Sequence, residues 1–127
     1  AQFEYIPMPG GEKAIKQPWR MGLSYLYKVF GSEMWDIPLK IVNDVDKETG
    51  DLLIRMIEEG INSPLTSSLG RLFDGVSSIL GIKSVVNYEG QAAIALENVI
   101  DENASKDVYR FKIKSEGKES AGLPRIV

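Results

Sequence analysis

Residues 62–97 read NSPLTSSLGRLFDGVSSILGIKSVVNYEGQAAIALE. The stretch predicts a capped helix, a short connection and a second helix beginning at Glu89–Gly90–Gln91. Thr66 or Ser67 is the expected N-cap, because a short hydroxyl side chain can accept a hydrogen bond from a free amide of the first turn. Leu69, Leu72, Phe73, Val76, Ile79 and Leu80 then recur at i, i+3, i+4, i+7 and make one apolar face. Ser67, Gly70, Arg71, Asp74 and Ser78 make the opposite stripe, and Gly81 ends the helix. The second helix carries Ala93, Ile94, Leu96, Glu97, Val99 and Ile100.

Outward from that pair, the other segments read as scaffold. Phe3–Met8 alternates bulky and polar residues, which predicts a short extended segment, and Pro9–Gly10–Gly11 is a turn. Glu12–Ile15 fits one helical turn. Pro18 fits the first position of a longer helix, where a missing amide costs little. Trp19, Leu23, Leu26 and Phe30 should face the core, with Met21, Tyr25 and Val29 beside them, and Gly31 is a stop. A brief helix is expected around Pro38, and a further one runs from the Asp46 cap to Gly60. Val108–Ile113 alternates as a strand that would pair with Phe3–Met8, and 115–127 reads as a flexible tail. The fold class expected is mainly α (α+β): about five helices with one or two short edge strands in one subdomain spanning 1–127. Neither end carries a start methionine or a natural cap, so an excised piece of a longer protein is expected.

Composition narrows the chemistry. The 127 residues contain no Cys and no His, which removes thiolate nucleophiles, zinc–cysteine clusters, the commonest general base and the commonest transition-metal ligand. The net charge of −3 comes from interspersed acids and bases with no basic stripe, so nucleic acid is not an expected partner. No apolar run approaches membrane-spanning length.

Two polar constellations remain. Arg71 and Asp74 share a helix face at i, i+3 spacing. A surface ion pair of that kind is worth about 0–1 kcal/mol. Gly70 and Gly75 flank it, and each helical glycine costs about 1 kcal/mol relative to alanine, so something should pack closely there. That something is either a ligand or another helix. Tyr88–Glu89–Gly90–Gln91 is the second constellation: either a capping turn with an acid at the positive end of the helix dipole, or a turn that presents Glu89 and free amides to a ligand.

The segments PGGEKAIKQPWRM (9–21), TSSLGRLFDGVSSILGI (66–82) and NYEGQAAIALE (87–97) resemble the carboxy-terminal part of the HypF family, the carbamoyltransferases of [NiFe]-hydrogenase maturation. The resemblance spans roughly residues 4–100, with the three blocks in the family's order. It implies that carbamoyl phosphate and ATP yield a carbamoyl-adenylate. The carbamoyl group then passes to the carboxy-terminal cysteine of a HypE-type acceptor protein, where dehydration supplies cyanide ligands. A cytoplasmic location is implied as well. The same blocks are similar, more distantly, to the threonylcarbamoyl-transferases of tRNA modification, which share an actin-like ATPase fold. In those enzymes an Asp in a helix motif with Gly, Glu and Phe before it binds the nucleoside ribose; Asp74 of Gly70-Arg71-Leu72-Phe73-Asp74 matches that Asp, and Arg71 stands in place of the Glu. The resemblance therefore implies a nucleotide-binding wall of Asp74, Gly70, Arg71, Glu89, Gly90 and Gln91. It implies no catalytic residue in this chain, ATP as the nucleotide, and any metal ion held outside it. Two other readings stay open: a related carbamoyltransferase with a different acceptor, and a non-enzymatic helical interaction module.

Overall fold

Local start and stop signals set the helices. A computed structural model describes residues 2–104, 107–114 and 125–126. Helix α1 is Glu12–Lys16, and α2 is Pro18–Phe30, with Pro18 at its first position and Gly31 at its end with a positive φ of 58°. A 3-10 turn over Gly31–Asp36 leads through an extended Ile37–Leu39 into α3, Lys40–Asp44. The brief helix expected around Pro38 is thus two pieces. The residue before a proline is driven away from helical angles, and Pro38 sits in the gap. Helix α4, Lys47–Glu59, is capped by Asp46, whose carboxylate accepts the Thr49 amide at 2.9 Å, and it ends at left-handed Gly60. Helix α5 is Leu69–Ile79 and α6 is Gln91–Glu97. The α-helix expected through Val99 and Ile100 ends at Glu97; those two residues follow in a tighter turn, their amides bonded to the Leu96 and Glu97 carbonyls, and both are exposed.

The strands are two residues each and their pairing departs from expectation. The Phe3–Met8 segment splits into β1, Gln2–Phe3, and β2, Ile6–Pro7. β2 pairs antiparallel with β3, Leu65–Thr66, with Ile6 opposite Thr66. β1 pairs parallel with β5, Arg125–Ile126, which pairs antiparallel with β4, Ile113–Lys114, giving the order β1-β5-β4. Residues 108–112 form no strand, and Val108–Ile113 does not pair with Phe3–Met8. Alternation shows that a segment suits a sheet but not which edge receives it. Of the tail expected over 115–127, residues 115–124 and 127 lie outside the described residues.

The core consists of two clusters on either flank of α2. Leu23, Leu26, Met34, Ile41, Val42 and Leu53 form one, with Trp19 and Trp35 packed against it. Ile6, Ala14 and Met21 form the other, with Met8 and Tyr25 alongside. Phe30, expected inward, is 46% exposed at the end of α2. The most extensive helix contact is α2 on α5. It uses the polar stripe of α5: Arg71, Asp74, Gly75, Ser77 and Ser78 are the buried residues of that helix. Leu69 and Phe73 of the apolar face are 45% and 40% exposed. Glycines make the contact possible. A Cβ at Gly75 would lie 2.7 Å from Tyr25 Cδ2, and one at Gly22 would lie 2.5 Å from Ile41 Cδ1 and 3.4 Å from the Gly75 carbonyl oxygen.

Candidate functional site

The site grows from the amino end of α5. Thr66 is drawn into β3, and its hydroxyl accepts the Ser68 amide at 3.2 Å. Ser68, one or two residues later than expected, therefore becomes the cap, with its Oγ 3.4 Å from the Arg71 amide. Gly70 follows in the first turn. Its nearest neighbour on the side a Cβ would occupy is that same Ser68 Oγ, 3.4 Å away. Of the two glycines, Gly75 is therefore filled by α2 whereas Gly70 is not filled by another element.

One helical turn on, Arg71 and Asp74 are 5% and 2% exposed. Arg71 Nε lies 3.0 Å from Asp74 Oδ2. The two atoms are buried yet not aligned as a hydrogen bond, and neither has another hydrogen-bond partner; the same holds for Ser77 Oγ. Arg71 Nη2 donates to Glu89 Oε1 at 3.0 Å, across 18 residues. Glu89 itself is 72% exposed at its side chain. One guanidinium thus serves a buried carboxylate on its own helix and an exposed one on the turn before α6.

That turn is built by Gly90 at φ 88°, the residue preceding α6, with nothing within 4 Å of where a Cβ would stand. Gln91 opens α6 and folds back, its Oε1 accepting the Asn87 amide at 2.8 Å. Arg71, Asp74 and Glu89 are thus brought together by contact. Gly90 and Gln91 adjoin them along the chain, and Gly70 lies one residue before Arg71.

Burial raises the Asp74 carboxyl above the ordinary aspartate value. The Arg71 charge opposes this, and the Glu89 charge adds to it. Tyr25, on the facing helix, is pushed up to about 12, first by burial and then by the Asp74 charge. In the sequence Tyr25 reads only as a neighbour of the core stripe; its place beside Asp74 follows from the α2–α5 crossing at Gly75. Ser77 escapes sequence reasoning for the same reason. An inward-facing hydroxyl cannot be told from a solvated one until the partner of the helix is known.

A separate groove of about 360 Å³ opens between α5 and α6, lined by Phe73, Ala93, Ile94, Leu96, Glu97 and Ile100. Among the described residues there is no group of three or more His, Cys, Asp or Glu able to hold a metal ion, and no helix long and apolar enough to cross a membrane. The chemistry at the cluster is that of a shielded carboxylate, ion-paired to Arg71 but with acceptor capacity that no aligned hydrogen bond takes up.

Residues 1–126 match the family described as carbamoyltransferase, Kae1-like domain, second subdomain. The chain is 33% identical to the carbamoyltransferase HypF of Synechocystis sp., over 95% of this chain and 17% of that protein. It is 42% identical to the probable carbamoyltransferase HypF of Methanocaldococcus jannaschii, over 71% of this chain and 12% of that protein. Its structure is similar to that of full-length HypF crystallised in a phosphate- and nucleotide-bound form, with TM-score 0.81, 31% identity, and coverage of 98% of this chain and 15% of that one. The HypF of T. kodakarensis is similar at TM-score 0.60 and 28% identity, over 76% of this chain and 14% of that one. The chain thus spans between 12% and 17% of the length of these four proteins.

Proposed function

The chain belongs to the HypF carbamoyltransferase family, as a second subdomain of its Kae1-like domain, and from that premise we propose that it forms one wall of the nucleoside site in a longer carbamoyltransferase. The full-length protein uses carbamoyl phosphate and ATP to make a carbamoyl-adenylate. It then carbamoylates the carboxy-terminal cysteine of a HypE-type partner, toward cyanide ligands for hydrogenase maturation. With neither Cys nor His, this segment contributes binding groups and leaves the carbamoyl-transfer chemistry and any metal ion to the rest of the polypeptide.

The observation that carries the nucleoside reading is Asp74 Oδ2. It is a buried carboxylate oxygen whose one partner among the described residues is Arg71 Nε, 3.0 Å away and not aligned as a hydrogen bond. Native proteins leave few such groups, and each calls for a physical reason. A ribose hydroxyl is a suitable donor, and a hydrogen bond to a charged group contributes about 1.5–3 kcal/mol. With Gly75 closed by Tyr25, the sugar approaches past Gly70 and the turn carrying Glu89, Gly90 and Gln91. The turn faces the nucleoside from the other side and offers it backbone such as the Gly90 amide.

The test is Asp74→Asn in the full-length protein, with the fold checked by circular dichroism. ATP affinity should fall about tenfold to a hundredfold, as loss of one charged hydrogen bond demands. Unchanged ATP affinity and unchanged adenylate formation in a folded variant would remove Asp74 from the site.

A further inference from the structure

The Arg71–Glu89 contact joins α5 to the turn before α6, a turn that itself makes few ties to the rest of the fold although α6 beyond it packs on α5. The connection between α5 and α6 is fastened in its middle: the Val86 amide donates to the Lys16 carbonyl at 3.0 Å and the Trp19 amide to the Ser84 carbonyl at 3.3 Å. Beyond Val86 the fastening stops. The Asn87 amide bonds to the Gln91 side chain, the Gln91 amide to the Tyr88 carbonyl and the Ile94 amide to the Gly90 carbonyl, all within the turn and the start of α6. Among the described residues, no other hydrogen bond ties 87–90 to a different part of the fold than that from Arg71. Asn87, Tyr88 and Glu89 are exposed, and left-handed Gly90 has open space beside it. Between its anchors at Val86 and Ala92, the turn is therefore held to the rest of the fold by one hydrogen bond, that from Arg71.

The contact is asymmetric. The Arg71 side chain is 6% exposed, and that of Glu89 is 72% exposed. A buried guanidinium needs its donors satisfied, whereas an exposed glutamate loses little in water by letting go. Glu89 holds Nη2, and Nε is thereby left facing Asp74 at 3.0 Å. The planar fork of arginine makes this linkage rigid: fixing one nitrogen fixes the direction of the others. Glu89 is in this way connected to Asp74 through the guanidinium.

We infer that Arg71 and Glu89 form a tether that positions the turn 87–90 against α5, and that Glu89 acts on the bound nucleoside through Arg71 rather than by touching it. The ligand part of this inference rests on the nucleoside reading of Asp74. The tether itself does not. Arg71 and Glu89 are positioning residues in this scheme, and Asp74 is the group in contact.

The experiment is a double-mutant cycle in the full-length protein with two readouts. Amide hydrogen exchange of residues 87–92, measured without nucleotide, reports the tether alone. ATP affinity by calorimetry reports its consequence. Glu89→Ala should speed exchange at 87–92 and weaken ATP about threefold to tenfold, as loss of one half-exposed charged contact suggests. Glu89→Gln keeps an oxygen for Nη2 and should restore most of both readouts. Arg71→Lys keeps the charge beside Asp74 but has no fork to reach both carboxylates, so it should behave like Glu89→Ala. In the Arg71→Lys background, Glu89→Ala should then add nothing. If Glu89→Ala costs the same factor in both backgrounds, Glu89 touches the ligand itself and the inference is overturned. Unchanged exchange at 87–92 in Glu89→Ala overturns it too. If exchange rises while Asp74→Asn leaves ATP affinity intact, the tether stands and the nucleoside reading of Asp74 falls.

Discussion

Asp74 carries an unusual arrangement for a carboxylate: inward on its helix, 2% exposed, beside a cation with which it makes an ion pair but no aligned hydrogen bond. Burial is the largest influence on it and raises its carboxyl above the ordinary 3.8, with Arg71 opposing. The stability consequence has a definite sign. Above the raised folded value the group is charged in both folded and unfolded chains, and the folded one bears the desolvation cost. As pH falls through the raised folded value, the folded chain takes up its proton first, so its relative stability increases until the unfolded value is passed. Wild type should therefore gain stability relative to Asp74→Asn as pH is lowered from 7 toward the ordinary aspartate value of 3.8. Urea denaturation of both proteins across that window measures it. A difference that stays constant would mean that burial does not raise this carboxyl.

At the scale of elements, α5 places two glycines in opposite settings. Gly75 lies under the Tyr25 ring, with a Cβ position 2.7 Å from Cδ2 and 3.0 Å from Cε2. An aromatic ring wedged between helices cannot swing aside as an aliphatic tip can. Gly75→Ala should cost about 1–3 kcal/mol by overpacking, despite alanine's better helix propensity. A Cβ at Gly70 would meet only the Ser68 hydroxyl at an ordinary 3.4 Å, so Gly70→Ala should stabilise the free protein by about 0.5–1 kcal/mol. The two denaturation midpoints should move in opposite directions; a shift of the same sign would show that the α2–α5 contact does not require Gly75. The same helix shows what is legible in the sequence. Its extent, and those of α2 and α4, follow from caps and glycine stops that lie close to the helix ends along the chain. Periodicity separates the two stripes of α5 but carries no sign for which one turns inward. In the fold α2 offers Gly22, against Gly75 and Ser78, and the Tyr25 ring over Gly75, a surface that receives the polar stripe of α5. The Arg71–Asp74 pair is readable because three residues span one turn. The Arg71–Glu89 bond joins positions 18 apart and depends on how the α5–α6 connection returns, which no local pattern records. The same distinction explains Val108–Ile113, where alternation is present but the pairing strand is not identifiable.

At the scale of the molecule, the apolar clusters among the described residues belong to β2, the turn after it, α1–α5 and the segments between them. Both clusters, and the partly buried residues packed on them, end at Ile79. Val86 and Ala92, 6% and 0% exposed, extend the buried set only as far as the start of α6. The described residues 107–113 are all exposed, with Val108 at 87% and Tyr109 at 98%. What they contribute is one edge of a groove, where Arg110 and Phe111 face Phe3, Ile6, Tyr25 and Leu72, and the strand β4 that pairs with β5. Two-residue strands bring few ladder bonds, and a residue left mostly in water gains little from the hydrophobic effect. A chain ending at Ala104 should therefore unfold in one cooperative transition and lose no more than about 1 kcal/mol relative to 1–127, since neither buried apolar cluster loses a member among the described residues. Its cost should be confined to β1, which loses β5, and be visible as faster amide exchange at Gln2–Phe3 with the exchange of α2 and α5 unchanged. A loss several times larger, or a broadened transition, would place the carboxy-terminal segment within the cooperative core and move the boundary of this subdomain to its last strand.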